Sequence, residues 1–120
     1  MIPSISDIDS FLKDFKQKMS IYSIFFKDRD KNEKTLKELG ITPRQREEVL
    51  HELVPENYSS GPTPDAYDPE SPPNYVFGKF IQSREIYIKI NMGKPEKRVM
   101  CISFHLSEKP MQYPFNKRLR

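Results

Sequence analysis

In the first half of the chain, apolar residues recur at the three- and four-residue steps of a helix. The first such segment predicts one buried stripe, made of Ile8, Phe11, Leu12, Phe15 and Met19. Ser6 is the expected N-cap, since a serine oxygen can accept a hydrogen bond from a free amide of the first turn. Asp7 and Asp9 would then lie near the positive end of the helix dipole. The chain therefore begins with an amphipathic helix.

Two shorter helices are predicted to follow the first. Asn32 is the expected cap of the second helix, whose buried positions are Leu36 and Leu39 and whose end is marked by Gly40. The stretch before it, residues 21–26, is apolar and β-prone, and it fits either a short strand or the lead into a turn.

The third helix has a strong start signal. Thr42 and Gln45 form the pattern of a capping box, and Pro43 suits the first helical position, where an amide proton is not needed. Pro55 is expected to stop the helix. Its predicted apolar face consists of Val49, Leu50 and Leu53.

In the second half, apolar and polar residues alternate as in a sheet. Residues 75–80, 85–91 and 98–105 predict three strands with short connections, and consecutive strands joined in this way form an antiparallel meander. In the middle strand every second residue is isoleucine, so one face should be buried against the helices. The isoleucines are Ile86, Ile88 and Ile90.

A proline-rich stretch separates the two halves. Residues 55–73 hold six prolines, which predicts a long loop without a regular element. A chain of 120 residues has the length of one domain. We expect an α+β fold in which helices in residues 1–54 pack on a small antiparallel sheet of three or more strands in residues 74–120.

Composition limits the classes of function. The net charge is +3, and from Lys94 onward seven cationic residues face two acidic ones, which permits a nucleic-acid partner. Cys101 is the only cysteine, so an intrachain disulfide is excluded and a reducing compartment fits. We find no secretion signal and no run of about 20 apolar residues that would span a membrane. A cytoplasmic protein is expected.

The polar face of the predicted sheet carries the candidate chemistry. If Met100, Ile102 and Phe104 pack on the helices together with the isoleucines, four polar side chains share the opposite face: Tyr87, Lys89, Ser103 and His105. Metal-free RNA cleavage needs a group that takes a proton from the ribose 2′-hydroxyl, a group that protonates the leaving oxygen, and a cation beside the phosphorane. His105 could serve as the acid or the base, Lys89 could stabilise the phosphorane, and Tyr87 could donate to a phosphate oxygen or stack on a base.

Each of these residues also has an alternative interpretation in which its role is purely structural. Tyrosine and lysine alternating with isoleucine are also typical of any half-solvated strand. Lys79, Arg84 and Lys109 are candidate phosphate contacts, although surface cations are commonly only solvated. One cysteine and two separated histidines form no metal-ligand pattern, and the four glycines form no phosphate loop, so no metal or cofactor is expected.

Several segments resemble the MqsR family of bacterial toxins, which belongs to the RelE-like mRNA interferases. In the sheet region the resemblance is carried by Val76–Lys79, Glu85–Ile90, Cys101–His105 and Pro110–Phe115. Upstream it is carried by Leu39–Thr42 and Leu53–Tyr58, with Gly61 and Pro62. It thus extends from the second helix to the end of the chain.

The resemblance implies an enzyme that cleaves mRNA without a metal and is inhibited by a cognate antitoxin. The family's active-site positions correspond here to Tyr87, Lys89 and His105. Tyr58 and Tyr113 become candidate substrate contacts. This chain departs from the family in having histidine where the family has a basic residue after Ser-Phe, and Ser59 where the family has lysine after tyrosine.

Two other functions remain open. The same sheet face could bind RNA or a protein without cleaving it, in which case phosphate contacts would give only a salt-dependent affinity. The third helix could read DNA, because Arg44 and Arg46 lie in its first turn. The partners expected on the first hypothesis are mRNA and an antitoxin that covers the basic, aromatic face or a free sheet edge. A homodimer is also compatible with the sequence.

Overall fold

Three helices pack on one face of a five-stranded sheet in the computed structural model, which describes residues 2–116. Lys117, Arg118 and Arg120, part of the basic C-terminal segment, lie outside the described residues. The α+β class and the packing of the N-terminal helices on the sheet are confirmed, but the short strand Ile24–Phe26 lies within the half that was predicted to be helical. None of the helices within residues 2–116 is both long and apolar enough to cross a bilayer.

Helix α1 spans Ile5–Tyr22 and buries the predicted stripe of five apolar residues. Its N-cap is Ser4 and not Ser6, because the Ser4 hydroxyl accepts from the Asp7 amide at 3.0 Å while the Asp7 carboxylate accepts from the Ser4 amide. This reciprocal pair satisfies two amides at once.

Helix α2 spans Asp30–Leu39 and begins three residues earlier than Asn32 would allow as a cap. Arg29 is the N-cap, and Asn32 lies inside the helix with 2% of its surface exposed. The Asn32 amide donates to the carbonyls of Lys27 and Ile102 and accepts from the Phe104 amide, so this side chain joins α2 to the sheet. The predicted cap was therefore wrong.

Helix α3 spans Pro43–His51 and has the predicted capping box of Thr42 and Gln45. A single turn of 3-10 helix, Pro55–Asn57, follows it. The glycine after α2 adopts the left-handed conformation, with φ of +66°, as expected of a helix end.

The strands are β1 (Ile24–Phe26), β2 (Tyr58–Thr63), β3 (Asn74–Ile81), β4 (Arg84–Asn91) and β5 (Val99–Leu106). Their order in the sheet is β1-β5-β4-β3-β2. Strands β3, β4 and β5 form the predicted antiparallel meander. Strand β1 pairs in parallel with β5, so the sheet is mixed and not wholly antiparallel.

Strand β2 lies within the region that was predicted to be an irregular loop. It pairs with β3 at the edge of the sheet, and its register shifts twice along six residues. An edge strand has one side free of partners, so it tolerates Gly61 and Pro62, which a central strand would not. The loop proper is therefore shorter than predicted and covers residues 64–73.

A β-bulge sets which side chains of β5 face the helices. Lys89 pairs with Ser103, but the next pair is Ile90 with Cys101, which leaves Ile102 as an extra residue. Cys101 is consequently buried in the core, whereas Ile102 is only half-buried. The prediction that Met100 and Ile102 pack on the helices was wrong, since both line a cavity on the other side of the sheet.

The isoleucines of β4 were placed correctly. All three are fully buried and share one hydrophobic core with residues of α1, α3 and β3. The face that carries these isoleucines is therefore covered by helices, and the other face, called here the open face, is available for chemistry. The arrangement of the open face follows from the alternation in β4 and the bulge in β5.

Candidate functional site

Four of the predicted polar residues meet on the open face. Tyr87 lies directly opposite His105, and Lys89 directly opposite Ser103, on the paired strands β4 and β5. The rings of Tyr87 and His105 stack with their centroids 5.2 Å apart and an angle of 16° between planes. A phenol, an imidazole and an ammonium group are thus held within one cross-strand neighbourhood.

Arg29 joins this group, and the sequence did not point to it. It precedes α2, and its Nη1 donates a hydrogen bond to the Ser103 hydroxyl at 3.2 Å. Ser103 has only 1% of its surface exposed, so it acts as the support beneath the guanidinium. Only the packing of α2 against β5 brings Arg29 here, and that long-range contact leaves no local sequence signal.

A groove of about 610 Å³ contains these side chains. Its floor is the β4–β5 pair, one end is formed by Ser59 and Ser60 of β2, and its wall is the segment after β5. Lys109 lies on that wall, where it was predicted to contact phosphate, and Lys31 lies beside it. We call this cavity the β4–β5 groove.

The wall is held in place by one carboxylate. Glu85 accepts hydrogen bonds from the Met111 amide at 3.1 Å and from the Tyr113 hydroxyl at 2.7 Å. The Tyr113 ring covers Gly78, where a Cβ atom would lie 2.1 Å from the tyrosine oxygen. The C-terminal segment therefore crosses the open face at a position that only glycine permits.

One hydrogen bond determines which ring nitrogen of neutral His105 carries the proton. Nδ1 lies 3.0 Å from the carbonyl oxygen of Leu106, and a carbonyl can only accept, so Nδ1 carries the proton. Nε2 of the neutral ring is then a proton acceptor. A ring nitrogen with a free lone pair is what a general base requires.

The side chains of Tyr87 and Lys89 make no hydrogen bond or ion pair among residues 2–116, so their polar groups are available to a ligand. Burial raises the pKa of Tyr87, and the nearby positive charge of Arg29 partly opposes that rise. The phenol therefore stays protonated at neutral pH and can donate.

Two predicted phosphate contacts lie elsewhere. Lys79 faces the helix side of β3, where its ammonium is 3.2 Å from a carboxylate oxygen of Glu52. Arg84 begins β4 and pairs with Glu38 of α2 at 3.2 Å. Neither lines the β4–β5 groove. Both were assigned from charge alone, and charge does not reveal which face a side chain occupies.

Two predicted substrate tyrosines are structural instead. Tyr58 is 1% exposed, stacks on Phe115 at 5.2 Å, and donates to the Gly61 carbonyl. Tyr113 is 5% exposed, and its hydroxyl is occupied by Glu85, which together with burial raises its pKa. Tyr58 is therefore a core residue that anchors the segment that follows it.

The geometry of α3 excludes the simplest form of DNA reading. Arg46 is 9% exposed, and its guanidinium carbon lies 3.6 Å from the centroid of the Phe26 ring. Burial lowers its pKa. Arg46 therefore packs α3 onto β1 and cannot reach a base edge.

The fold and the groove together define a small α+β protein with a cationic, aromatic site on the open face of its sheet. No group of three His, Cys, Asp or Glu side chains within the described part of the chain is arranged to hold a metal ion. Comparison with protein-family models, with curated proteins and with solved structures gives no match.

Proposed function

We propose that this chain is an endoribonuclease that cleaves mRNA without a metal, and that it is the toxin of a type II toxin–antitoxin pair in the cytoplasm. The observation that carries the nuclease proposal is the stacked pair of Tyr87 and His105, with Lys89 and Arg29 in the same groove. The toxin assignment rests on the resemblance to the MqsR family. The two parts can therefore fail separately.

In the proposed reaction, Nε2 of His105 takes the proton from a ribose 2′-hydroxyl. The 2′-oxygen forms a bond to the adjacent phosphorus, and the bond from phosphorus to the 5′-oxygen breaks. The Tyr87 hydroxyl donates its proton to the departing oxygen and regains one from solvent. Lys89 and Arg29 stabilise the phosphorane charge. The products are a 2′,3′-cyclic phosphate and a 5′-hydroxyl.

The test is cleavage of a synthetic mRNA fragment in the presence of EDTA, with the product ends identified by mass spectrometry. His105→Ala and Lys89→Ala should each lower the rate by about 100-fold or more, because each removes a group that acts in the transition state. Binding of RNA without any cleavage would instead support a binding module that uses the same face.

Lys79→Ala is the matched control for Lys89→Ala. Both residues are lysines on neighbouring strands, but Lys79 pairs with Glu52 on the helix side. Its loss should leave the cleavage rate within about twofold, since an exposed ion pair contributes little. If the two variants lose activity equally, the open face is not the active site.

The toxin assignment has its own experiment. Expression of the chain in bacteria should arrest growth, and co-expression of the adjacent gene should restore it. A dead variant such as His105→Ala should not arrest growth. Arrest that persists in the variant, or that the neighbouring gene does not relieve, would contradict the assignment.

A further inference from the structure

A second cavity of about 500 Å³ adjoins the β4–β5 groove on the open face. The two cavities share Arg29, Ser60, Tyr87 and Lys89 as lining residues. They are therefore two compartments of one depression, and Arg29 and Lys89 lie at the boundary between them. Each compartment has the size of a site for one small ligand.

The aromatic ring and the positive charges that line the second cavity match the base and the phosphate of a nucleotide. Tyr67, at the tip of the loop over residues 64–73, is 98% exposed and lines this cavity. Lys27 lies on the same lining. An aromatic ring without packing partners next to a cationic groove is the arrangement that single-stranded RNA-binding proteins use to stack bases.

A local turn holds the backbone at Tyr67 in place. The Asp65 carboxylate accepts a hydrogen bond from the Tyr67 amide at 2.8 Å, which makes a local turn. Beneath the loop, Asn91 donates to Asn74 at 2.9 Å, and both amides are buried. The polar pair fixes the start of β3, where the loop ends.

Charges around the two compartments favour a phosphate between them. The lining residues include five cations and two acids. Of the acids, Glu108 is paired with Lys31, and Asp65 is engaged with the Tyr67 amide. Among these cations, Arg29 is the one whose guanidinium donates a hydrogen bond to the Ser103 hydroxyl. A guanidinium fixed in this way can bind two oxygens of one phosphate.

We propose that the second cavity is a second nucleotide subsite, in which Tyr67 stacks a base and Arg29 binds the phosphate that joins it to the nucleotide in the β4–β5 groove. The proposal rests on the proposed nuclease function, and it assigns the substrate class as single-stranded RNA read over at least two nucleotides. Bases paired in a duplex cannot splay apart to occupy two compartments.

The test measures binding of the sixteen dinucleotides and of 3′-phosphorylated mononucleotides by calorimetry. A 2′-O-methyl group on each ribose blocks cleavage, so binding is measured without reaction. The best dinucleotide should bind about tenfold or more tightly than the best mononucleotide, as expected for one added stacked base. Equal affinities would overturn the proposal.

Variants at Tyr67 and Arg29 distinguish stacking of the base from binding of the phosphate. Tyr67→Ala should lower dinucleotide affinity about tenfold and leave mononucleotide affinity unchanged, whereas Tyr67→Phe should retain most of it. Arg29→Ala should weaken both ligands, because each carries the shared phosphate. Tyr22→Ala is the control, since that ring is 40% exposed but lines neither cavity. If Tyr67→Ala weakens both ligands equally, Tyr67 is not part of a second subsite.

Failure of this proposal can be told from failure of the nuclease proposal. Cleavage in EDTA that depends on His105, combined with no preference for dinucleotides, would reject only the second subsite. Preference for dinucleotides without any cleavage would reject only the nuclease. No binding of either ligand and no cleavage would reject both.

Discussion

At the scale of single residues, burial determines the acidity of the Cys101 thiol. It faces the core, is 1% exposed, and burial raises its pKa from 9.0 to about 12. The positive charge of Arg46 opposes this rise but does not cancel it. The folded state therefore keeps a proton that the unfolded chain loses at lower pH.

Stability should consequently fall at alkaline pH. Between about pH 9 and pH 12 the unfolded state binds fewer protons than the folded state, so the free energy of unfolding decreases by up to ~1.4 kcal/mol per pH unit from this group. Urea denaturation of the wild type and of Cys101→Ala across this range measures the effect. The difference between the two should shrink or change sign as pH rises, and parallel curves would contradict the assignment.

Part of the site could be read residue by residue. Alternation with isoleucine placed Tyr87 and Lys89 on the open face, and Ser103 and His105 were grouped with them correctly. Arg29 could not be found, because its place depends on how α2 meets β5. Tyr58 was misassigned because a tyrosine that anchors a core and one that contacts a ligand look alike in sequence.

At the scale of elements, α3 is attached through an unusual contact. Arg46 lies over Phe26 of β1 and is almost fully buried, although its Nε has no hydrogen-bond partner within residues 2–116. A cation over an aromatic ring is more favourable when water is excluded. The stem of the arginine adds apolar contact. Helix α3 therefore depends on a residue whose sequence context suggested DNA binding.

Arg46→Ala should lower the free energy of unfolding by about 2 kcal/mol through loss of this contact. Arg44→Ala is the matched control, because Arg44 is exposed two residues earlier on the same helix, and its loss should change stability by less than about 0.5 kcal/mol. Thermal or urea denaturation measures both. Similar small effects would show that Arg46 does not hold α3 to the sheet.

The elements themselves were predicted unevenly. Local signals were sufficient for α3, whose capping box is complete within four residues, and for β4, whose pattern has period two. They failed for β2, since Pro62 argues against a strand and only pairing with β3 compensates for it. They also failed for the bulge near Ile102, which depends on the partner strand and leaves no trace in β5 alone.

At the scale of the whole molecule, the open face is enclosed by two segments that are distant in sequence. The loop over residues 64–73 borders one end of the depression, and the segment after β5 borders the other. The second border is fastened by Glu85 to Met111 and Tyr113. The width of the groove therefore depends on tertiary contacts and not on the sheet alone.

Glu85→Ala should release this border. Loss of two hydrogen bonds should raise amide exchange in residues 107–113 by about tenfold, while exchange in β4 and β5 changes little. Hydrogen–deuterium exchange with mass spectrometry measures the change. Glu85→Gln, which keeps an accepting oxygen, should give a smaller effect, and Glu38→Ala, on the other side of the sheet, should give none. Unchanged exchange in Glu85→Ala would contradict the assignment.

The two edge strands of the sheet also affect how copies of the protein associate. Strand β1 has three residues, and β2 contains a proline and two breaks in register. Short or interrupted outer strands are poor templates for adding further chains through main-chain pairing. At high concentration this protein should therefore resist growth into fibrils, and contacts between copies would have to use side chains.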